Sequence, residues 1–249
     1  MTEEISQVSD FRVGSVLSRS ISILFRNLVP FALLSLLVFS PLIAYTALID
    51  LSFSNPNLLE TVETWSVVVM AGAVPLSMLL VAALAYGTFQ DMRGQRATVG
   101  ECLVHGLGRV LPVLGVAICA MICVMLGLVL LVIPGLVVAT MLWVAIPVAV
   151  VEKPGVIESL KRSAELTSGY RWPIFGIMFL MQFLDQASNK LIELLVPDGL
   201  SNLNLYFLFV IAIVVLYAAL ESVVTAVGYH DLRVVKEGVD TDQIASVFD

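Results

Sequence analysis

Apolar residues run through this chain in long blocks separated by short polar stretches, a spacing that predicts membrane-crossing helices. A crossing takes about 20 apolar residues to span about 30 Å of hydrocarbon. Six blocks qualify, over residues 28–50, 65–89, 110–132, 135–151, 172–190 and 205–227. From Val110 to Val151 there are 42 residues without a charge. At 1.5 Å per residue one helix of that length would extend about 63 Å, which suits two crossings and not one. Ile133-Pro134-Gly135 predicts the break, because proline and glycine together favour a turn. The third and fourth crossings are then a tight hairpin.

A second pattern precedes the odd-numbered crossings. Val13, Leu17, Ile21, Leu24 and Leu28 recur at spacings of three and four, while Arg12, Arg19 and Arg26 recur every seven on the other face. This predicts an amphipathic helix lying in the headgroup layer, with its arginines toward lipid phosphates. The segment Val156–Trp172 repeats the arrangement. Laid on the first without gaps, it pairs Val13 with Val156, Leu17 with Leu160, Arg19 with Arg162, Ser20 with Ser163 and Pro30 with Pro173. A shorter version, Val99–Leu111, ends at Pro112. Either one unit occurs three times, or any helix turning into a membrane needs these features. The expected fold is an all-α membrane protein: six transmembrane helices in three hairpins, each preceded by a cytoplasmic amphipathic interfacial helix. Residues 1–10 and 234–249 read as cytoplasmic tails around a transmembrane domain over 11–233. In the second tail, Asp240 or Thr241 can cap a short amphipathic turn with Ile244, Val247 and Phe248 along one edge.

Charge fixes the orientation. Of 13 Lys and Arg residues, 12 fall at the termini and in the even-numbered loops; only Lys190 falls on the other side. The positive-inside rule then places both ends in the cytoplasm, with the bacterial inner membrane as the expected location. Charged residues make up 13% of the 249, against about 25% in soluble domains, so a bilayer must solvate much of the chain. The net charge of −7 is a poor guide to partners, since 13 of the 20 acidic residues share the cytoplasmic side with the 12 basic ones. No basic stripe supports nucleic acid as a partner. The first apolar block starts late and is too long for a cleavable signal. Trp65, Tyr86, Trp172, Tyr206 and Tyr229 sit near span ends, where amphipathic rings favour the interface.

Three groups of side chains are candidates for function. Glu221, deep in the sixth span, carries a cost on the order of 3 kcal/mol if it faces lipid, so it should face protein or water. Tyr217 and Thr225, four residues to either side, extend an intramembrane polar stripe. The carboxylate is either a proton or cation site, or one end of a structural hydrogen bond or ion pair. Gln182, Asp185, Asn189 and Lys190 gather at the outer end of the fifth span, as a cap or as the lining of an outward cavity. Asp185 and Lys190, five apart, are poorly spaced to pair on a helix. Arg12, Arg19, Arg26, Arg109, Lys161, Arg162 and Arg171 lie in the three amphipathic segments and are candidates for binding anionic headgroups. Cys102, Cys119 and Cys123 form neither a disulfide framework nor a sufficient ligand set, so no metal site and no cofactor are expected. No G-x-S-x-G, H-E-x-x-H, P-loop or dinucleotide fingerprint is present, and an enzyme is not expected.

Two stretches carry a resemblance. One runs from Ile133-Pro134-Gly135 through Ala145-Ile146-Pro147 and Val151-Glu152 to Arg162-Ser163-Ala164-Glu165-Leu166-Thr167, Gly169 and Arg171-Trp172. The other is Tyr229-His230-Asp231-Leu232-Arg233 followed by Lys236-Glu237-Gly238-Val239-Asp240. Over most of residues 11–242 the chain resembles bacterial six-span families that include the membrane domain attached to some glycerophosphoryl diester phosphodiesterases. In those proteins hydrolysis belongs to a separate soluble barrel, so the resemblance brings no catalytic residue with it. The function expected is that of a non-enzymatic, lipid-interacting scaffold, with a small-molecule or ion transporter using a polar path at Glu221 as the alternative. Oligomeric state and protein partners are not legible.

Overall fold

The computed structural model describes residues 11–50, 58–195 and 203–238. Every regular element in them is a helix: α1 (Val13–Arg26), α2 (Leu28–Asp50), α3 (Leu58–Met92), α4 (Val99–Leu107), α5 (Val110–Leu130), α6 (Val132–Met141), α7 (Ala145–Val151), α8 (Val156–Thr167), α9 (Arg171–Leu195) and α10 (Leu203–Glu237). The residues expected to form a C-terminal amphipathic turn (Asp240, Thr241, Ile244, Val247 and Phe248) lie outside the described residues, as does the first tail. Among the described residues three stretches are long and apolar enough to cross a membrane: α5, the α6–α7 stretch Val132–Val151, and Phe209–Glu237 of α10. Counting the bent pair α1–α2 as one span gives a fourth. That pair turns by 83°. Leu130, Leu131, Val132 and Ile133 are all exposed at the α5–α6 tip, and Val129 is 82% exposed. A continuous apolar surface of this kind is costly in water and costs nothing in hydrocarbon.

The α5–α6 hairpin departs from the expected geometry at its turn. The break falls at Leu131, whose backbone is extended (φ −165°, ψ 151°), and not at Ile133-Pro134-Gly135. Pro134 lies instead in the first turn of α6, where a missing N–H breaks no helical hydrogen bond. Gly135 closes the crossing. A Cβ there would sit 2.5 Å from the Leu128 side chain and 2.7 Å from the Leu128 backbone nitrogen. The Pro-Gly pair therefore sets how closely the two helices pack, while Leu131 makes the turn.

The expected fourth crossing is interrupted. It ends as α6 at Met141, and residues 142–144 turn before α7 begins. A broken helix leaves carbonyl oxygens without partners. Here the Met141 carbonyl accepts the Ser163 hydroxyl at 2.8 Å and the Thr167 hydroxyl at 3.2 Å, both from α8. The amphipathic segment thus helps stabilise the break in the neighbouring crossing. Between α8 and α9, Gly169 adopts φ +88°, a left-handed conformation that glycine takes without the steric cost of a Cβ.

Each long entry helix begins in the same way. A proline stands at the third helical position, and the next residue's N–H bonds back to the residue before the helix. The pairs are Phe31 to Asn27 at 3.0 Å, Val113 to Arg109 at 3.0 Å, and Ile174 to Tyr170 at 3.1 Å. The α4 helix has a reciprocal cap: the Glu101 N–H donates to the Thr98 hydroxyl at 3.3 Å and the Thr98 N–H to the Glu101 carboxylate at 2.8 Å. The best-buried apolar side chains cluster where α3, α7 and α10 meet α1 and α9, and include Phe89, Leu84, Val148, Ile174 and Tyr229.

Candidate functional site

At the end of the bundle where α1 and α8 lie, helix termini converge and their carboxylates meet arginines. Arg19 of α1 donates to Asp231 of α10 at 2.6 Å, and His230 Nδ1 lies 3.1 Å from the same Asp231 oxygen. Arg26, seven residues on, engages both oxygens of Asp91 on α3, its Nε at 3.0 Å, while the Asn27 amide donates to Asp91 at 2.8 Å. Asp91 is 8% exposed and Asp231 4% exposed. Arg162 of α8 donates to Glu152 at 2.9 Å and also binds Glu237. Arg233 adds a bond to Glu237 at 3.0 Å and one to the Tyr229 hydroxyl at 3.2 Å. The Tyr229 hydroxyl in turn donates to Glu152 at 3.0 Å. Charge-assisted bonds of this kind are the strong members of their class, and two-point arginine contacts also fix geometry.

Two of the aromatic residues expected near span ends pack within the protein: Tyr229 is fully buried and Tyr86 is 6% exposed. Trp172 is 84% exposed. The last helix runs past Arg233 to Glu237, and its polar residues there find partners within the protein.

Asp91 and Asp231 went unread in the sequence, although a signal for them was present. Phe89-Gln90-Asp91-Met92-Arg93 and Tyr229-His230-Asp231-Leu232-Arg233 share one pattern: aromatic, polar, aspartate, apolar, arginine. Both fall at the end of a 35-residue helix, α3 and α10. The two aromatics meet edge to face, their ring centroids 5.9 Å apart. The two aspartates accept the two arginines of α1. The matched serines Ser20 and Ser163 are both fully buried. The first and third units are thus alike at both ends, whereas the middle unit has a shorter α4 and a broken second helix.

Of the seven headgroup candidates, Arg19, Arg26 and Arg162 hold protein carboxylates. Arg12, Arg109, Lys161 and Arg171 form no ion pair with any described residue. Beside two of them stand large exposed apolar side chains at the start of a long helix: Leu111 (81% exposed) after Arg109 and Trp172 after Arg171.

The second locality is the seam between α9 and α10. A cavity of ≈150 Å³ there is lined by Met178, Met181 and Gln182 of α9 and by Tyr217, Glu221 and Thr225 of α10. Val224 and Trp143, the latter from the turn between α6 and α7, complete it. Two of the expected polar groups therefore meet, since Gln182 comes from the outer cluster and Glu221 from the intramembrane stripe. Asp185 adds a second negative charge that acts on Glu221. The stripe's other members are engaged: the Tyr217 hydroxyl donates to the Met181 carbonyl at 3.2 Å and that of Thr225 to the Glu221 carbonyl at 2.7 Å. The Glu221 carboxylate is exposed and makes no hydrogen bond or ion pair with a described residue. Asn189 folds back on Asp185 at 3.0 Å, and Lys190 pairs with Glu193 at 2.7 Å instead of with Asp185.

Cys102, on α4, is buried against α3, which pushes its thiol up to about 11, with the negative charge of Glu101 adding to the effect. No group of three or more His, Cys, Asp or Glu residues able to hold a metal occurs among the described residues. A scan of family models, a search of curated proteins and a search of solved structures each returned no match to this chain.

Proposed function

We propose that this chain is a non-enzymatic, multi-pass protein of the bacterial inner membrane that crosses six times and grips anionic lipid headgroups on its cytoplasmic side. In this reading α1, α4 and α8 lie along the headgroup layer, and α2, α5 and α9 turn from them into the bilayer. The observation that carries it is the pairing of an unpartnered basic residue with a large exposed apolar one at a crossing's entry: Arg109 with Leu111, and Arg171 with Trp172. Such a pair suits a phospholipid, with phosphate at the cation and acyl chain or glycerol region at the apolar group. Lys161 and Arg12 add unpaired positive charge nearby in sequence, each worth about 1 kcal/mol near an anionic surface. The resemblance to the phosphodiesterase-associated membrane domain is compatible with this role and supplies no chemistry.

The test is mass spectrometry of lipids retained by the protein in native-lipid nanodiscs. Replacing Arg109, Lys161 and Arg171 together by Gln should deplete phosphatidylglycerol and cardiolipin relative to phosphatidylethanolamine. An unchanged lipid profile in that variant removes the reading. A second reading, a small-molecule or ion transporter with a polar path at Glu221, draws on the α9–α10 cavity.

A further inference from the structure

We infer that the α9–α10 cavity is a binding site for a small organic ammonium ion, held by Glu221 and covered by Trp143. The charge around the cavity is one-sided. Glu221 faces it from α10 and Asp185 acts on it from α9, while the α6–α7 stretch that contributes Trp143 carries no charge from Val132 to Val151. Lys190, the only basic residue within α9 beyond Arg171, is held by Glu193. A carboxylate within an apolar span is a functional group by default, and it calls for a positive partner that the described residues do not supply.

The walls identify the partner. Trp143 lines the cavity, and indole is the best of the side chains for attracting a cation. Met178 and Met181 present polarisable thioethers that adapt to an irregular guest. Gln182 supplies an amide whose carbonyl can accept an N–H. A hard divalent metal takes six or more oxygen ligands, whereas the cavity offers one carboxylate, one amide carbonyl and two hydroxyls among its lining side chains. The volume of ≈150 Å³ equals that of about five liquid waters, which limits the guest to a few heavy atoms. The inference rests on the cavity alone and is independent of headgroup binding.

The experiment uses the full chain in zwitterionic phosphatidylcholine nanodiscs, so that anionic lipid plays no part. Of the three tryptophans, Trp65 and Trp172 are replaced by Phe, leaving Trp143 as the reporter. Ethylammonium chloride is titrated against sodium chloride at equal ionic strength. A saturable change in Trp143 emission with ethylammonium and not with sodium is expected. Glu221→Gln should weaken it at least about tenfold, as loss of a charge-assisted bond implies. Gln182→Leu, which keeps the carboxylate, should weaken it less. Absence of saturation in the parent, or equal affinity in Glu221→Gln, overturns the proposal. If Glu221→Gln does not fold by circular dichroism and gel filtration, Glu221→Asp and Gln182→Leu decide the matter, and unchanged affinity in both is equally fatal.

Discussion

Asp231 and Glu221 lie ten residues apart on α10, and the fold treats them in opposite ways. Asp231 is buried, and Arg19 and His230 converge on one of its oxygens. Glu221 is exposed at a seam that holds a further negative charge and, among the described residues lining its cavity, no cation. A buried charge without a partner costs several kcal/mol, so the first arrangement is what stability demands. The second would be selected against if holding the bundle together were the only requirement. The contrast separates the parts of the molecule: the converging helix ends fasten the structure, while the seam is left available to something else.

Four measurements, from the largest expected effect to the smallest, would break or sharpen that contrast. Asp231→Ala removes the buried carboxylate that holds Arg19 and His230; with the Arg19 side chain 42% exposed, stability should fall by about 2–3 kcal/mol, read as a lower melting temperature in detergent. An effect below about 1 kcal/mol would mean that Asp231 is no more structural than Glu221. Burial at the same end can also be probed without a salt bridge, through Cys102. An unfolded thiol ionises near pH 8.5, while the folded one stays protonated to about 11. Across that window the folded state binds the extra proton, so stability should fall by about 1.4 kcal/mol per pH unit as pH rises. Cys102→Ala should remove that slope. Tyr229→Phe leaves Glu152 and Arg233 paired and deletes one hydroxyl, for a loss of about 1 kcal/mol. Glu221→Gln should leave the melting temperature unchanged or raise it, because it removes a charge without stranding a partner. A clear loss of stability there would place Glu221 in the same structural class as Asp231.

The all-helical character and the membrane-length apolar stretches could be read from the pattern of apolar blocks, and the misreadings have physical causes. The 83° turn after α1 follows from apolar residues at helical spacing giving way to an unbroken apolar run at Leu28. The α5–α6 turn was misplaced by three residues because proline and glycine serve two purposes, ending helices and letting them pack closely. The break at Met141 has no signature in the apolar sequence around it. Its stabilising groups, Ser163 and Thr167, lie over 20 residues away. The arginines of α1 were recognised as a functional row, but their partners Asp91 and Asp231 are distant in sequence and only the fold brings them together. Gln182 and Glu221 were noted separately, and their meeting also needed three dimensions.

The bond between Arg19 and Asp231 joins residues 212 positions apart. A ribosome adding about 5–20 residues per second makes the two partners about 10–40 s apart. During that interval the ion pair of α1 that can already form is Arg26 with Asp91, within the first unit. Until α10 is made, α1 keeps one of its two ion pairs open, and only the arrival of α10 closes it. The α1 helix is therefore among the parts of this structure whose contacts are completed late, although it is made early relative to its partner.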